Sequence, residues 1–235
     1  RCAARGVRLV TAFDQRYHPA HQRLTELVAD GALGDITQAR INYACWLPAN
    51  WRKSRFASPN WRIDSAQSGG GAGIDLLPHG LDLLGMLLDD AIVSVRAEVQ
   101  SKTQNYANLD KGIDDGVALL VRLRRGTLAT IHAGYNRPEW QPRRQLELFG
   151  TQGYAQTIDT MGQDPGGELQ LQTESGARRE TFPGDRLAAP FYRQIDAVSR
   201  AFALEESHPF PIDRDLENFR LLESALNAAF ATQAH

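Results

Sequence analysis

The chain has 235 residues, with 26 Lys and Arg against 28 Asp and Glu, a formal charge of −2 at neutral pH. Such a balance gives no broad basic surface for nucleic acid or anionic membrane, and there is no apolar run of the roughly 18 residues that a membrane span needs. The cysteines are two, Cys2 and Cys45, which make neither a disulfide framework nor a zinc pattern and fit a reduced, cytoplasmic setting.

Val7–Phe13 reads as an apolar strand. It lies so close to the start, in a chain without an initiating methionine, that part of the protein is expected upstream. Pro19 opens a helix at its first turn, where the missing N–H costs nothing, and Asp30-Gly31 and Leu33-Gly34 close it. Ile36–Trp46 has strand character, and residues 47–68 form a long segment carrying Trp51, Phe56 and Trp61. Loops this long and aromatic are more often functional than idle. A glycine run, Gly69-Gly70-Gly71, then leads into an apolar helix. Pro78 predicts that its regular part begins between Ile74 and Leu77.

From Ile92 onward the chain reads as successive strands: Ile92–Val99, Val117–Leu123, Leu128–Tyr135, Gln145–Phe149, Tyr154–Ile158 and Leu169–Thr173. The short turns joining several of them imply antiparallel pairing. Two closing helices are expected, one over about 188–204 and one over about 215–231. The fold class predicted is α+β: an open, mostly antiparallel sheet with helices on one face. The other face is expected to be apolar and to pair with a second subunit, giving a homo-oligomer.

The helix after the glycines carries the most chemistry. At about 100° per residue, Asp75, His79 and Asp82 fall within roughly 60° of one another, and Leu77, Leu81, Leu84 and Leu88 lie opposite. Asp75 and His79, four residues apart, can hydrogen-bond. A carboxylate beside an imidazole on a rigid helix suits general acid–base work; the ordinary alternative is a capping aspartate and a satisfied core histidine. Asp82 reads as structural. The glycine run matches neither nucleotide fingerprint and suits close backbone approach to a ligand or a neighbouring chain. Trp61-Arg62 suits an anionic or planar ligand or serves as a loop anchor. His132, Asp114 and Asp115 have no ligand spacing, and no metal site is expected.

The ordered set Arg16…Pro19-Ala20-His21, Gly31-Ala32-Leu33-Gly34-Asp35-Ile36, Trp61-Arg62 and Gly-Gly-Gly…Asp75-x-x-x-His79-x-x-Asp82, with the later Phe149-Gly150-Thr151-Gln152-Gly153 turn, resembles the family of glucose–fructose oxidoreductase, inositol dehydrogenase and MocA. The resemblance implies a remnant of the dinucleotide-binding domain at residues 1–15 and a C-terminal substrate and oligomerisation domain at residues 16–235. It implies an NAD- or NADP-dependent oxidoreductase acting on a CH–OH group of a sugar, cyclitol or related polyol. Asp75 and His79 match the catalytic pair, and Trp61, Arg62 and Tyr192 match positions that touch the cofactor. The glycine fingerprint and the Glu-Lys-Pro motif with its catalytic lysine have no counterpart here, so this chain alone is expected to be inactive. Asp14 stands where many members have asparagine. A non-catalytic dimerisation or ligand-binding module, and a member using NAD for net non-redox glycosidic cleavage, are the alternative readings.

Overall fold

The structure, a computed structural model, describes residues 1–52, 60–204, 210 and 212–233. Phe56 of the aromatic segment lies outside the described residues.

Eight strands form one open sheet: β1 Ile36–Ala44, β2 Ile92–Gln100, β3 Gly116–Leu123, β4 Leu128–Gly134, β5 Arg144–Gly150, β6 Gly153–Ile158, β7 Glu168–Thr173 and β8 Gly176–Thr181, in the spatial order β2-β3-β4-β1-β5-β6-β7-β8. Only β1 and β4 pair in parallel, with Ile41 opposite Ile131; every other neighbouring pair is antiparallel. The helices are α1 Pro19–Ala29, a one-turn α2 Ser65–Ser68, α3 Ala72–Leu88, α4 Pro190–Ala203 and α5 Ile212–Gln233. The fold is α+β, as the sequence predicts. No helix among the described residues is long and apolar enough to cross a membrane.

Helix α3 lies over the middle of the sheet. Its leucine face, Leu77, Leu81, Leu84 and Leu88, is buried against the inward side chains Ile41, Ile131 and Val121. Full burial of each such side chain is worth about 1.5–3 kcal/mol. Gly80 lets the helix settle there: a Cβ at this position would stand 3.0 Å from Ile131 Cγ2. On its other flank α3 is tied down by a quartet of charges, three of them buried and the fourth, Arg214, partly exposed. Arg16, in the turn Asp14–Tyr17, donates to both oxygens of Asp82 at 2.8 and 2.6 Å and to Asp215 of α5 at 2.5 Å, and Arg214 donates to Asp82 at 2.6 Å. Two arginines and two aspartates compensate one another, which makes their burial tolerable.

Three expectations are corrected. Helix α3 starts at Ala72, before the predicted window, and runs through Pro78. Its first turn is held from outside by Asp114, so the one bond that Pro78 cannot make does not stop it. Val7–Phe13 forms no strand. Neither edge strand, β2 or β8, takes this segment as a partner. It runs instead along α4, where Arg8 donates to the carbonyl of Ala201, and Val7 and Leu9 remain exposed. The open face of the sheet is not apolar. Register places Leu120, Thr130, Arg40, Glu147, Gln156 and Gln170 side by side across it, and Arg40 pairs with Glu147 at 3.2 Å.

Candidate functional site

The site is built on the first half of α3 and on what the sheet and two loops bring to it. The chain enters α3 against Asp114, which lies between β2 and β3. Asp114 accepts from the Gly73 amide through Oδ2 at 2.9 Å and from the Ala72 amide through its backbone oxygen at 3.3 Å. It thus supplies from across the fold the acceptor that Gly71 cannot offer as N-cap. A Cβ on Gly71 would lie 2.0 Å from Asp114 O. The close approach expected of the glycine run is therefore made to this chain's own backbone. Burial pushes the Asp114 carboxyl up to about 6.

One turn on, Asp75 Oδ2 accepts the Tyr135 hydroxyl at 2.6 Å and pairs with Arg62 Nε at 3.4 Å. Tyr135 follows β4 on the inward side, in series with Ile131 and Ala133, and is buried. Burial and the Asp75 charge both push its phenol well above the usual tyrosine range. The Arg62 guanidinium lies 4.7 Å over the Trp61 ring and 4.9 Å over the Trp51 ring. The aromatic segment is thus an indole–guanidinium stack anchored on Asp75, and Trp61 is still 42% exposed.

His79 sits a turn below Asp75, but the hydrogen bond that the spacing permits between them is not made. The His79 ring meets Phe13 edge-on at 5.5 Å and Tyr43 at 5.9 Å. Its Nδ1 is buried, accepts and donates no hydrogen bond, and lies 3.4 Å from Asp14 Oδ1. The side chain keeps 21% exposure. Burial pushes the imidazole down to about 4, with Asp75 pulling it up and Arg16 pushing it down. Asp14, only 2% exposed, is pushed up to about 7 by burial, against the pull of backbone and Gln15 hydrogen bonds.

The structure brings Asp75, His79, Trp61 and Arg62 into one region. It leaves Tyr192 apart, 43% exposed on α4, with no hydrogen bond, ion pair or ring contact to that group among the described residues. Asp82 holds α3 to Arg16 and Arg214, the structural role read from the sequence. Asp115 accepts three successive amides, those of Lys102, Thr103 and Gln104. Among the described residues, no group of three or more His, Cys, Asp or Glu could hold a metal. Burial pushes the Cys45 thiol up to about 11, which disfavours the nucleophilic thiolate. Tyr135 is the member that sequence reading missed, and Asp14 was marked only as a departure from the pattern of the resemblance, not as a neighbour of His79. An inward-facing series ending in a tyrosine was a usable sign of the first; the departure from asparagine marked the second without saying what it would face.

The family model described as the GFO/IDH/MocA C-terminal domain matches residues 21–156, more than half the chain. The chain belongs to that family. It is 28% identical over 171 residues to 1,5-anhydro-D-fructose reductase of Ensifer adhaerens, covering 73% of this chain and 47% of that protein. It is 24% identical over 233 residues to D-xylose 1-dehydrogenase (NADP(+)) 2 of Haloferax volcanii, covering 97% and 64%. It therefore spans between about half and two thirds of these relatives. Among solved structures, the aldose-aldose oxidoreductase from Caulobacter crescentus complexed with glycerol aligns with a TM-score of 0.79 at 18% identity, over 97% of this chain and 63% of that one. At this identity the likeness concerns the fold.

Proposed function

We propose that this chain is the substrate-binding part of a nicotinamide-dependent oxidoreductase acting on a CH–OH group of a sugar or related polyol, with His79 accepting the hydroxyl proton and Asp75 orienting the substrate. The observation that carries the reading is the placement of His79: a partly exposed imidazole whose Nδ1 makes no hydrogen bond, one turn from a carboxylate already fixed by Tyr135 and Arg62, with burial pushing the ring toward its neutral form. A neutral imidazole can take a proton; one held protonated by its surroundings could not. The names of the relatives, a reductase of an anhydro sugar and an NADP(+)-dependent xylose dehydrogenase, support the substrate class and the cofactor type.

A bound NAD or NADP would supply the hydride acceptor. The residues present fit one wall of such a site. Trp61 offers an exposed indole face, and Arg62 a cation for an anionic group, but no glycine-rich phosphate turn is in the chain. The chain's own work is then to bind and orient. Tyr135 fixes one oxygen of Asp75, leaving the other to accept from a substrate hydroxyl. His79 receives the proton of the reacting hydroxyl as the carbinol carbon gives up its hydride. Fixed geometry of this kind supplies orientation rather than chemistry.

The test is a panel of aldoses, cyclitols and anhydro sugars with NAD and with NADP, using protein made from the complete open reading frame and following nicotinamide absorbance. Substrate-dependent reduction supports the reading. Ligand binding without any redox change across the panel would favour a binding module and overturn it.

A further inference from the structure

The ring nitrogen of His79 that the protein buries faces Asp14, not Asp75. Of the two ring nitrogens only Nδ1 is buried without a hydrogen bond, and Asp14 Oδ1 stands 3.4 Å from it. Phe13 and Tyr43 hold the ring edge-on from two sides, so little room remains for another partner. Asp14 is itself placed firmly. It opens the turn Asp14–Tyr17, whose Arg16 is locked to Asp82 on the same helix as His79. Gln15, its neighbour, is anchored to Gly162 by two hydrogen bonds and donates to Asp14 Oδ2 at 3.4 Å.

We propose that Asp14 is the positioning residue for His79: its carboxylate accepts the proton on Nδ1 and so leaves Nε2 bare, toward the opening, as the proton acceptor. This deepens the reading of His79 given above and rests on it for the catalytic consequence, though not for the pairing. The physical logic is that a hydrogen bond on one imidazole nitrogen decides which nitrogen is free. A carboxylate in that place also raises the proton affinity of a ring that burial otherwise weakens.

The consequence is a pH dependence that belongs to the pair. With Asp14 ionised, it accepts from Nδ1–H and Nε2 is free. With Asp14 protonated, its hydroxyl donates to Nδ1, the ring proton moves to Nε2, and the acceptor is lost. Burial pushes Asp14 up to about 7, so the change falls near neutrality. The other charged or titratable groups facing the pair are Asp75 on α3 and Arg16 in the turn, which act on His79, and Tyr43 of β1, whose ring meets His79 and whose phenol feels Asp14; Cys45 and Arg144 lie beyond, beside Tyr43. Arg16 is already paired with Asp82 and Arg144 with Asp164 at 2.6 Å, so neither guanidinium competes with Nδ1–H for the Asp14 carboxylate.

The test combines nitrogen-15 imidazole spectra with kinetics on protein from the complete open reading frame. Above neutral pH, the His79 ring is expected to carry its proton on Nδ1 in the parent and in Asp14→Asn, whose amide oxygen still accepts. In Asp14→Ala it is expected to revert to a tautomer mixture. Asp14→Asn should lower kcat by about tenfold or more with KM nearly unchanged, and should remove the rise of kcat with pH near neutrality. A parent His79 protonated on Nε2 above neutral pH overturns the pairing from the unmodified protein alone. So does an Asp14→Ala protein whose tautomer and pH profile match the parent's. Absence of redox activity, with the Nδ1–H tautomer seen and lost in Asp14→Ala, would keep the pairing and remove only the catalytic reading.

Discussion

Replacing Gly71 by alanine tests how the site helix is launched. The added Cβ would stand 2.0 Å from the Asp114 carbonyl oxygen and 2.6 Å from its amide nitrogen. Both are backbone atoms, so no side-chain rotation can relieve the overlap, and the start of α3 has to move off Asp114. Two hydrogen bonds go with it. The Gly73 amide to Asp114 Oδ2 bond is to a charged acceptor, and the Ala72 amide to Asp114 O bond is neutral. Together they are worth about 3 kcal/mol, equivalent to about 6–12 °C in Tm for a chain of this size. Gly85→Ala, in the same helix, is the control. Its Cβ would meet only Asp90 O at 3.6 Å, an ordinary contact, and alanine in a helix interior gains about 0.5–1 kcal/mol over glycine. Thermal and urea unfolding of the two variants should therefore move in opposite directions. A Gly71→Ala protein as stable as the parent would refute the account of how α3 begins.

Two further outcomes bear on the surroundings of the site. Asp82→Ala strips the shared acceptor from Arg16 and Arg214 and should cost about 3–5 kcal/mol, the range for breaking a buried ion pair; Arg40→Ala, removing the half-exposed pair with Glu147, should cost less than about 1 kcal/mol, and similar urea midpoints for the two would contradict the role given to the quartet. His21 is fully buried between Gln15 O and Thr160 Oγ1, and burial pushes it from 6.5 down to about 4. As pH falls the unfolded chain binds this proton first, so the stability the group contributes is complete above pH 6.5 and is lost between there and about 4. In His21→Gln the slope of unfolding free energy against pH across that window should fall by about 1.4 kcal/mol per pH unit; an unchanged slope in urea titrations would show that His21 is not held neutral.

Much of the fold was legible because its core follows simple periods. The leucines of α3 at positions 77, 81, 84 and 88 fix the buried face by spacing alone, and β3 alternates buried and exposed residues along its length. The strand β8, Gly-Ala-Arg-Arg-Glu-Thr, carries no such mark: it is an edge strand, charged and mostly exposed, as edges tend to be. Val7–Phe13 misled because β propensity describes a surface that fits a sheet, and this segment lies along α4 instead, with Arg8 and Thr11 bonded to that helix. In the site, helical spacing placed Asp75 and His79 on one face but could not say what each would bond. Tyr135 is 60 residues from Asp75 in sequence and Asp14 is 65 residues before His79, so both partners are products of the tertiary fold.

The central claim is that His79 accepts a proton in a hydride-transfer reaction. Its most direct measurement is steady-state turnover of His79→Ala, made from the complete open reading frame, with rates corrected for folded protein and cofactor affinity measured in parallel. The account predicts a fall in kcat of about 100-fold or more with cofactor affinity nearly unchanged, and no rescue by His79→Asn, whose amide can hydrogen-bond but cannot take the proton. Near-parental kcat in a well-folded His79→Ala protein would contradict it.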